Sequence, residues 1–393
     1  MPLASQSKFN AFSTSSFRAL RKARAPHSPT TEPGNKCPAT RSWVEDASPP
    51  SLRPNSESCV NKYPLLQHFA TTLPRVQLVM RIVFYLPHDH GVLAPVLRQA
   101  LDTYLRFIAA SGGALTSGDD PDISEDSFLL TPDAWEEVHK ELEKARFGPL
   151  EDMDQDSFWF WTLTKRGFDT WVHLTGGESD PSGFEFSFRS RLPWREPSSE
   201  YSVLSVKVPM QYLEDQGPEK ARDLAQALAE LLPFNTGHAG LSLSFTRGRS
   251  RLLPLLRDQL VRHPGWDVPR ESTWGMGDGI DGIHWLNFLG PLQLEAVGGI
   301  PALRSHLSHP ETTVQELTGG RALISLGSAP LAGDTKLGET LPAYRELARF
   351  LEPWLLPSTP FTHFEGYTQE EARHWWRRFL EAPPVPVSNP RDG

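Results

Sequence analysis

The longest apolar run in the chain, VQLVMRIVFYL from Val76 to Leu86, has Arg81 in the middle of it. Such a run falls well short of the ~20 apolar residues that a membrane-crossing helix needs, so membrane residence by a helical span is ruled out. The run reads instead as a strand of a globular fold. After the turn PHDHG, the segment Val92 to Ile108 puts Leu93, Leu97, Leu101, Leu105 and Ile108 on one face of an amphipathic helix. With 12 Trp, 21 Phe and 7 Tyr among 393 residues, the chain has far too much aromatic area to stay unfolded throughout.

The remaining elements follow from local signals. Thr131-Pro132-Asp133 opens a helix with an N-cap, a proline at the first helical position and an acid in the first turn; Gly148-Pro149 stops it. SFWFWTLTKRGFDTWVHL and GFEFSFRSRL alternate aromatic with polar residues around the turn TGGESDPSG, which predicts an antiparallel meander. YSVLSVKVPM, a helix from about Gly217 to Leu232, and LSLSFTRG repeat the strand-helix-strand order of the beginning, a possible duplicated unit. Ile283 to Val297 has a helical pattern ending at Gly298-Gly299, and Ile300 to Leu307 is a second short helix. ALISLG is a strand; LPAYRELARFLEPWL and QEEARHWWRRFL are helices. The mixture lacks a strict strand-helix rhythm, so the expected fold class is α+β, a mixed and largely antiparallel sheet with packed helices. The expected organisation is one domain over 76–380, a lead-in over 61–75, and a disordered Pro-rich end over 381–393.

Residues 1–60 lack an apolar period and contain no acid before Glu32. They read as a disordered basic tail, as an imitation of an organellar transit peptide, or as an overextended start with the true beginning near Met80. The two cysteines, Cys37 and Cys59, both lie in this segment, which leaves no disulfide framework or Cys/His zinc pattern and fits a reducing cytoplasm. Charge is equally uneven. Residues 1–79 hold ten basic and four acidic side chains, and the rest of the chain 29 basic and 44 acidic. An acidic body lacks the basic groove that releases counterions from phosphates, so nucleic acid is not an expected partner.

Catalytic signatures are scarce. GxSxG and SxxK are absent from the folded part and no cysteine follows residue 59, which leaves only a Ser-His-Asp triad dispersed among 13 His, invisible to sequence. Gly277, Gly279 and Gly282 spell a formal GxGxxG, but PRESTW precedes it where a strand is required, and Asp278 and Asp281 would repel a pyrophosphate. The glycines read as a tight loop with positive φ. His88, Asp89 and His90 share one turn, while Asp278, Asp281 and His284, three apart, could share a helix face; polar-turn and helix-cap roles explain both sets without a metal. Between Asp119 and Asp156 stand 14 acids against Lys140, Lys144 and Arg146. This is either a solvated helix face with its loops or an electrostatic surface for a basic partner.

GDGIDGIHWLNFLGPLQLEAVGG (Gly277 to Gly299), ALISLGSAPLAGD and LPAYRELARFLEPW together resemble the bacterial type VI secretion immunity family, first defined as a domain of unknown function. Ile283, Trp285, Leu286, Phe288, Leu289, Gly298 and Gly299 carry the first block, Gly327, Pro330, Gly333 and Asp334 the second, and Pro342 with Tyr344 the last. The strand and helix through Tyr104 look like the family's opening, so the resemblance spans roughly 76–380. It implies a cytoplasmic immunity protein, with no cofactor and no catalytic residue, that binds and occludes a cognate effector toxin, in some members a nuclease. The shared positions are mostly Gly, Pro and aromatic, types that fix turns and a core. Toxin contact is expected instead at the acidic loop Asp119, Asp120, Asp122, Glu125 and Asp126. Two other classes stay open: a metal-assisted hydrolase using Asp278, Asp281 and His284, and a structural interaction protein without a dedicated toxin.

Overall fold

The computed structural model describes residues 76–119, 127–143, 154–157, 160–161, 170–177, 183–191, 200–245, 252–269, 278–356 and 366–381. Among the described residues, ten strands form one sheet in the order β3-β2-β4-β5-β6-β1-β7-β8-β10-β9, each antiparallel to its neighbours. β1 (Val76–Leu86) lies in the interior of that order, between β6 (Ser202–Pro209) and β7 (Thr236–Phe245). That position explains its near-continuous apolar sequence: Met80, Ile82, Phe84 and Leu86 join the main core, and alternate residues Val83 and Tyr85 join a second cluster with Tyr201 and Leu356. Arg81 is on the Val83 side.

The main core is completed by helices. α1 (His90–Ala109) buries Leu93, Leu97, Leu101, Tyr104 and Ile108, and packs against α4 (Pro218–Leu231), which buries Leu224 and Leu228. Their apolar faces follow the helical spacing in the sequence. α2 (Pro132–Glu143) begins at Pro132 with the Ala134 amide donating to Thr131 Oγ1 at 3.3 Å, as the Thr-Pro-Asp signal predicts. β6 and β7 are both antiparallel to β1 and so parallel to each other, joined over β1 by α3 (Met210–Gln216) and α4. The earlier strand-helix-strand unit, β1-α1-β2, instead crosses three intervening strands, so the two units differ in topology.

The α+β class stands, with local corrections. β2 (Ser117–Asp119) occupies what reads as loop, pairing with β3 (Ser127–Leu129) and β4 (Trp171–Thr175); β4 and β5 (Glu185–Arg189) form the expected hairpin. The helix expected over Ile283–Val297 is a strand, β8 (Leu286–Leu289), and then a short helix, α6 (Pro291–Ala296). Residues 278–284 are not helical either, so Asp278, Asp281 and His284 share no helix face. Gly217, φ 84°, separates α3 from α4, and α3 begins inside the segment read as strand. After α7 (Gly299–His306) come the edge strand β9 (Thr312–Leu317), missed in the sequence, and the expected β10 (Arg321–Leu326). α5 (Arg257–Arg262), α8 (Pro342–Leu351) and α9 (Gln369–Trp376) complete the described helices.

Candidate functional site

Of the five acids expected to meet a partner, Asp119 is described; Asp120, Asp122, Glu125 and Asp126 lie outside the described residues. Asp119 ends β2 opposite Ser127 on β3, the edge strand. Its carboxylate is 3.2 Å from His173 Nδ1, and His173 Nε2 is 3.4 Å from Glu185, which accepts from Lys207 Nζ at 2.7 Å. These residues face the same way on successive strands, so alternating charges lie side by side across the sheet. Burial alone would lower the His173 pKa, but hydrogen bonds to Asp119 and Glu185 outweigh it and raise the value to about 9. Burial likewise opposes ionisation of Glu185, yet Lys207 and His173 hold its pKa well below the usual carboxylate range. Asp119 is thus tied to the fold as well as placed at its rim.

A second polar group lies on the Arg81 side of β1. Arg81 Nε donates to Ser205 Oγ at 3.0 Å, and its Nη1 is 3.6 Å from Asp267. On β7, His238 stacks on His284, with ring centroids 3.6 Å apart and planes 9° from parallel. Tyr85 donates to Asp281, and Tyr201 to Asp278 at 3.2 Å. Arg378, beyond α9, donates to the carbonyls of Pro264 at 2.6 Å and Trp266 at 3.4 Å. His238, His284, Asp267 and Asp281 are all buried. Burial first, then the nearby arginines, drives both imidazoles well below the ordinary histidine pKa and keeps them neutral; burial lifts Asp267 to about 6 against the pull of Arg81.

The metal sets read from the sequence are taken apart. Asp278 goes to Tyr201, while Asp281 and His284 enter the buried group; the described residues whose donor atoms converge are His238, Asp267 and His284. His90 is 3.0 Å from the Leu142 carbonyl and 2.8 Å from Thr170, and Asp89 is 3.7 Å from Arg191, so that turn is structural. Gly277 lies outside the described residues. Gly279 and Gly282 do not have the positive φ expected of them; at Gly282 a Cβ would come within 3.3 Å of His284 Nε2, so close approach and not turn geometry favours glycine. Arg81 is the one member of the buried group with a local sign in the sequence, a charge inside an apolar run. His238 and Asp267 have none, because only the sheet brings them together.

The family positions are architectural. Ile283, Trp285, Leu286, Phe288 and Leu289 are core residues. Gly298, φ 88°, ends α6, and Gly299, φ 78°, opens α7. Gly327, φ 104°, accepts at its carbonyl from Trp285 Nε1 at 3.0 Å. Pro330 is buried, Gly333 has φ 67°, and Asp334 accepts from Arg262 Nε at 2.9 Å. None of them converges on a group that could do chemistry.

No curated protein matches the chain. Four solved chains do, among them the Pseudomonas aeruginosa T6SS protein PA0821, at 21% identity and TM-score 0.60, over 77% of this chain and 82% of that one; the likeness is one of fold. The family described as type VI immunity for VRR-NUC matches residues 97–379, which include the β8, Gly298-Gly299 and Gly327–Asp334 features. The chain belongs to that family of type VI immunity proteins.

Proposed function

We propose that this protein acts in the cytoplasm by binding a VRR-NUC nuclease toxin and covering its nucleic-acid groove, and that it works by occlusion and not by catalysis. Family membership over residues 97–379 carries the reading. Burial supports the non-catalytic part: His238, His284, Asp267 and Asp281 are all buried, so no substrate reaches them as they stand. No helix among the described residues is long and apolar enough to cross a membrane. The contact surface we assign is the acidic segment Asp119, Asp120, Asp122, Glu125 and Asp126. The chain leaves the sheet at Asp119 and returns at Ser127, its cross-strand neighbour, so both ends of the segment stand at the outermost hairpin. Carboxylates there pair with the lysines and arginines that a nuclease uses for phosphates.

The test exchanges the four acids beyond Asp119 for amides together, and Asp119→Asn separately because that change also breaks the His173 contact. Fourfold amidation is expected to slow association with the cognate toxin, mostly at low salt, to leave melting unchanged, and to abolish protection of cells expressing the toxin. Full protection with an unchanged salt dependence would move the interface to another surface.

A further inference from the structure

We propose that His238, Asp267 and His284 form a structural site for one divalent transition-metal ion of the zinc class, tying β7 to the segments that close over it. Donor atoms of the three residues lie within 4.8 Å of one another, and all three residues are buried. They come from separate parts of the chain: a central strand, the segment after α5, and the lead into β8. This proposal does not depend on toxin binding.

Three observations carry it. First, His238 Nε2 is buried without a hydrogen-bond partner, a desolvation penalty that a coordinated ion would remove. Second, the imidazoles lie face to face at 3.6 Å, so their nitrogens stand side by side; turning one ring about its Cβ–Cγ bond would aim both lone pairs at a common point. Bonds of about 2.0–2.1 Å in a tetrahedron need donor atoms about 3.4 Å apart, so the present spread of 4.8 Å closes by up to about 1.4 Å on binding. Third, the Asp267 carboxylate is only loosely engaged by Arg81, since 3.6 Å is well beyond the ~2.7–2.9 Å of a charge-assisted hydrogen bond.

The field around the site determines which ion it takes. Arg81 and Arg378 oppose any cation, and Asp267 and Asp281 offset them. Hard ions such as Mg²⁺ and Ca²⁺ bind through several oxygen ligands, and find here a single carboxylate among the three converging donors. Zn²⁺, Co²⁺ and Ni²⁺ bond strongly to imidazole nitrogen and are less dependent on net charge. Because the three ligands are buried, the ion's role would be to hold the fold, with one enclosed water as the fourth ligand beside the three protein donors.

The experiment uses the full chain, freed of metal with a chelator and titrated at about pH 7.5 with Zn²⁺ in calorimetry and with Co²⁺ in visible absorption. One ion per chain is expected, with a melting temperature that rises with Zn²⁺ and the intense visible bands of four-coordinate Co²⁺. His238→Gln and His284→Gln are each expected to weaken Zn²⁺ binding by more than about tenfold. If neither variant folds, the wild-type Co²⁺ spectrum decides the matter. The proposal is overturned by no binding up to about 100 μM Zn²⁺, by a folded histidine variant with full affinity, by a Co²⁺ spectrum without four-coordinate bands, or by Mg²⁺ competing equally.

Discussion

Trp285 fills its site completely: 1% exposed, it donates through Nε1 to the Gly327 carbonyl and lies under the Arg222 guanidinium at 5.3 Å. Phe288, also 1% exposed, meets Phe84 at 5.1 Å and Phe234 at 5.9 Å between centroids. Trp285→Ala and Phe288→Ala should each cost about 3–5 kcal/mol, read as a shift in denaturant midpoint; a variant as stable as wild type would remove these residues from the core. His173 makes a different kind of prediction. Its folded-state pKa, about 9, exceeds the ordinary 6.5, so the folded chain holds a proton that the unfolded chain releases between those values. The stabilisation is complete below about pH 6.5 and is lost as pH rises through about 9. His173→Gln should flatten the stability profile between pH 7 and about 9.5, whereas an unaltered slope would assign the pH dependence to other groups.

At the scale of elements, legibility in the sequence depended on whether a signal was local. α1, α2 and α4 declare themselves by period and by their opening residues, because each buries only one face. β8 does not. Its four residues are all buried, Asn287 included, so LNFL lacks the in-out alternation of a half-exposed strand, and its apolar residues with Ile283 and Trp285 before them imitate a helical pattern. The break lies at Gly290-Pro291: the Gly290 amide donates to the Asn235 carbonyl at 2.7 Å, and Pro291 opens α6 at a position where its missing N–H costs nothing. β9 was missed because an edge strand with polar, half-exposed residues carries little apolar alternation. The polar group beneath β1 and β7 was illegible for a related reason, since its members are neighbours only through sheet register. Arg378 shows how such a group fastens a distant element. It stacks on Trp375 at 4.0 Å and donates to the carbonyls of Pro264 and Trp266, locking the end of α9 beside Asp267. Arg378→Ala removes both hydrogen bonds and the ring stacking and should cost about 2–4 kcal/mol, with faster amide exchange concentrated in Gln369–Trp376. Exchange that quickened evenly over the whole chain would argue against a local lock.

For the molecule as a whole, the described core begins at Val76, and every strand of the sheet lies between Val76 and Leu326. Residues 1–62 lie outside the described residues, and they carry nine of the 39 basic residues against four acids. Removing them takes the formal net charge from −9 to −14. Two outcomes follow, one for stability and one for binding. A chain beginning at Tyr63 should melt within about 2 °C of the full chain; a protein this size moves its midpoint by about 1.5 °C per kcal/mol, so an apolar contribution of several kcal/mol would exceed that. The same chain should associate faster with a basic toxin at low salt, as the positive segment no longer offsets the field of the acidic body, and the gain should vanish at high salt. Melting curves and association rates at two ionic strengths separate the two effects. A large loss of thermal stability would show that the first 62 residues help to hold the fold, and an association rate indifferent to their removal would mean that the toxin responds to charge at the contact surface alone.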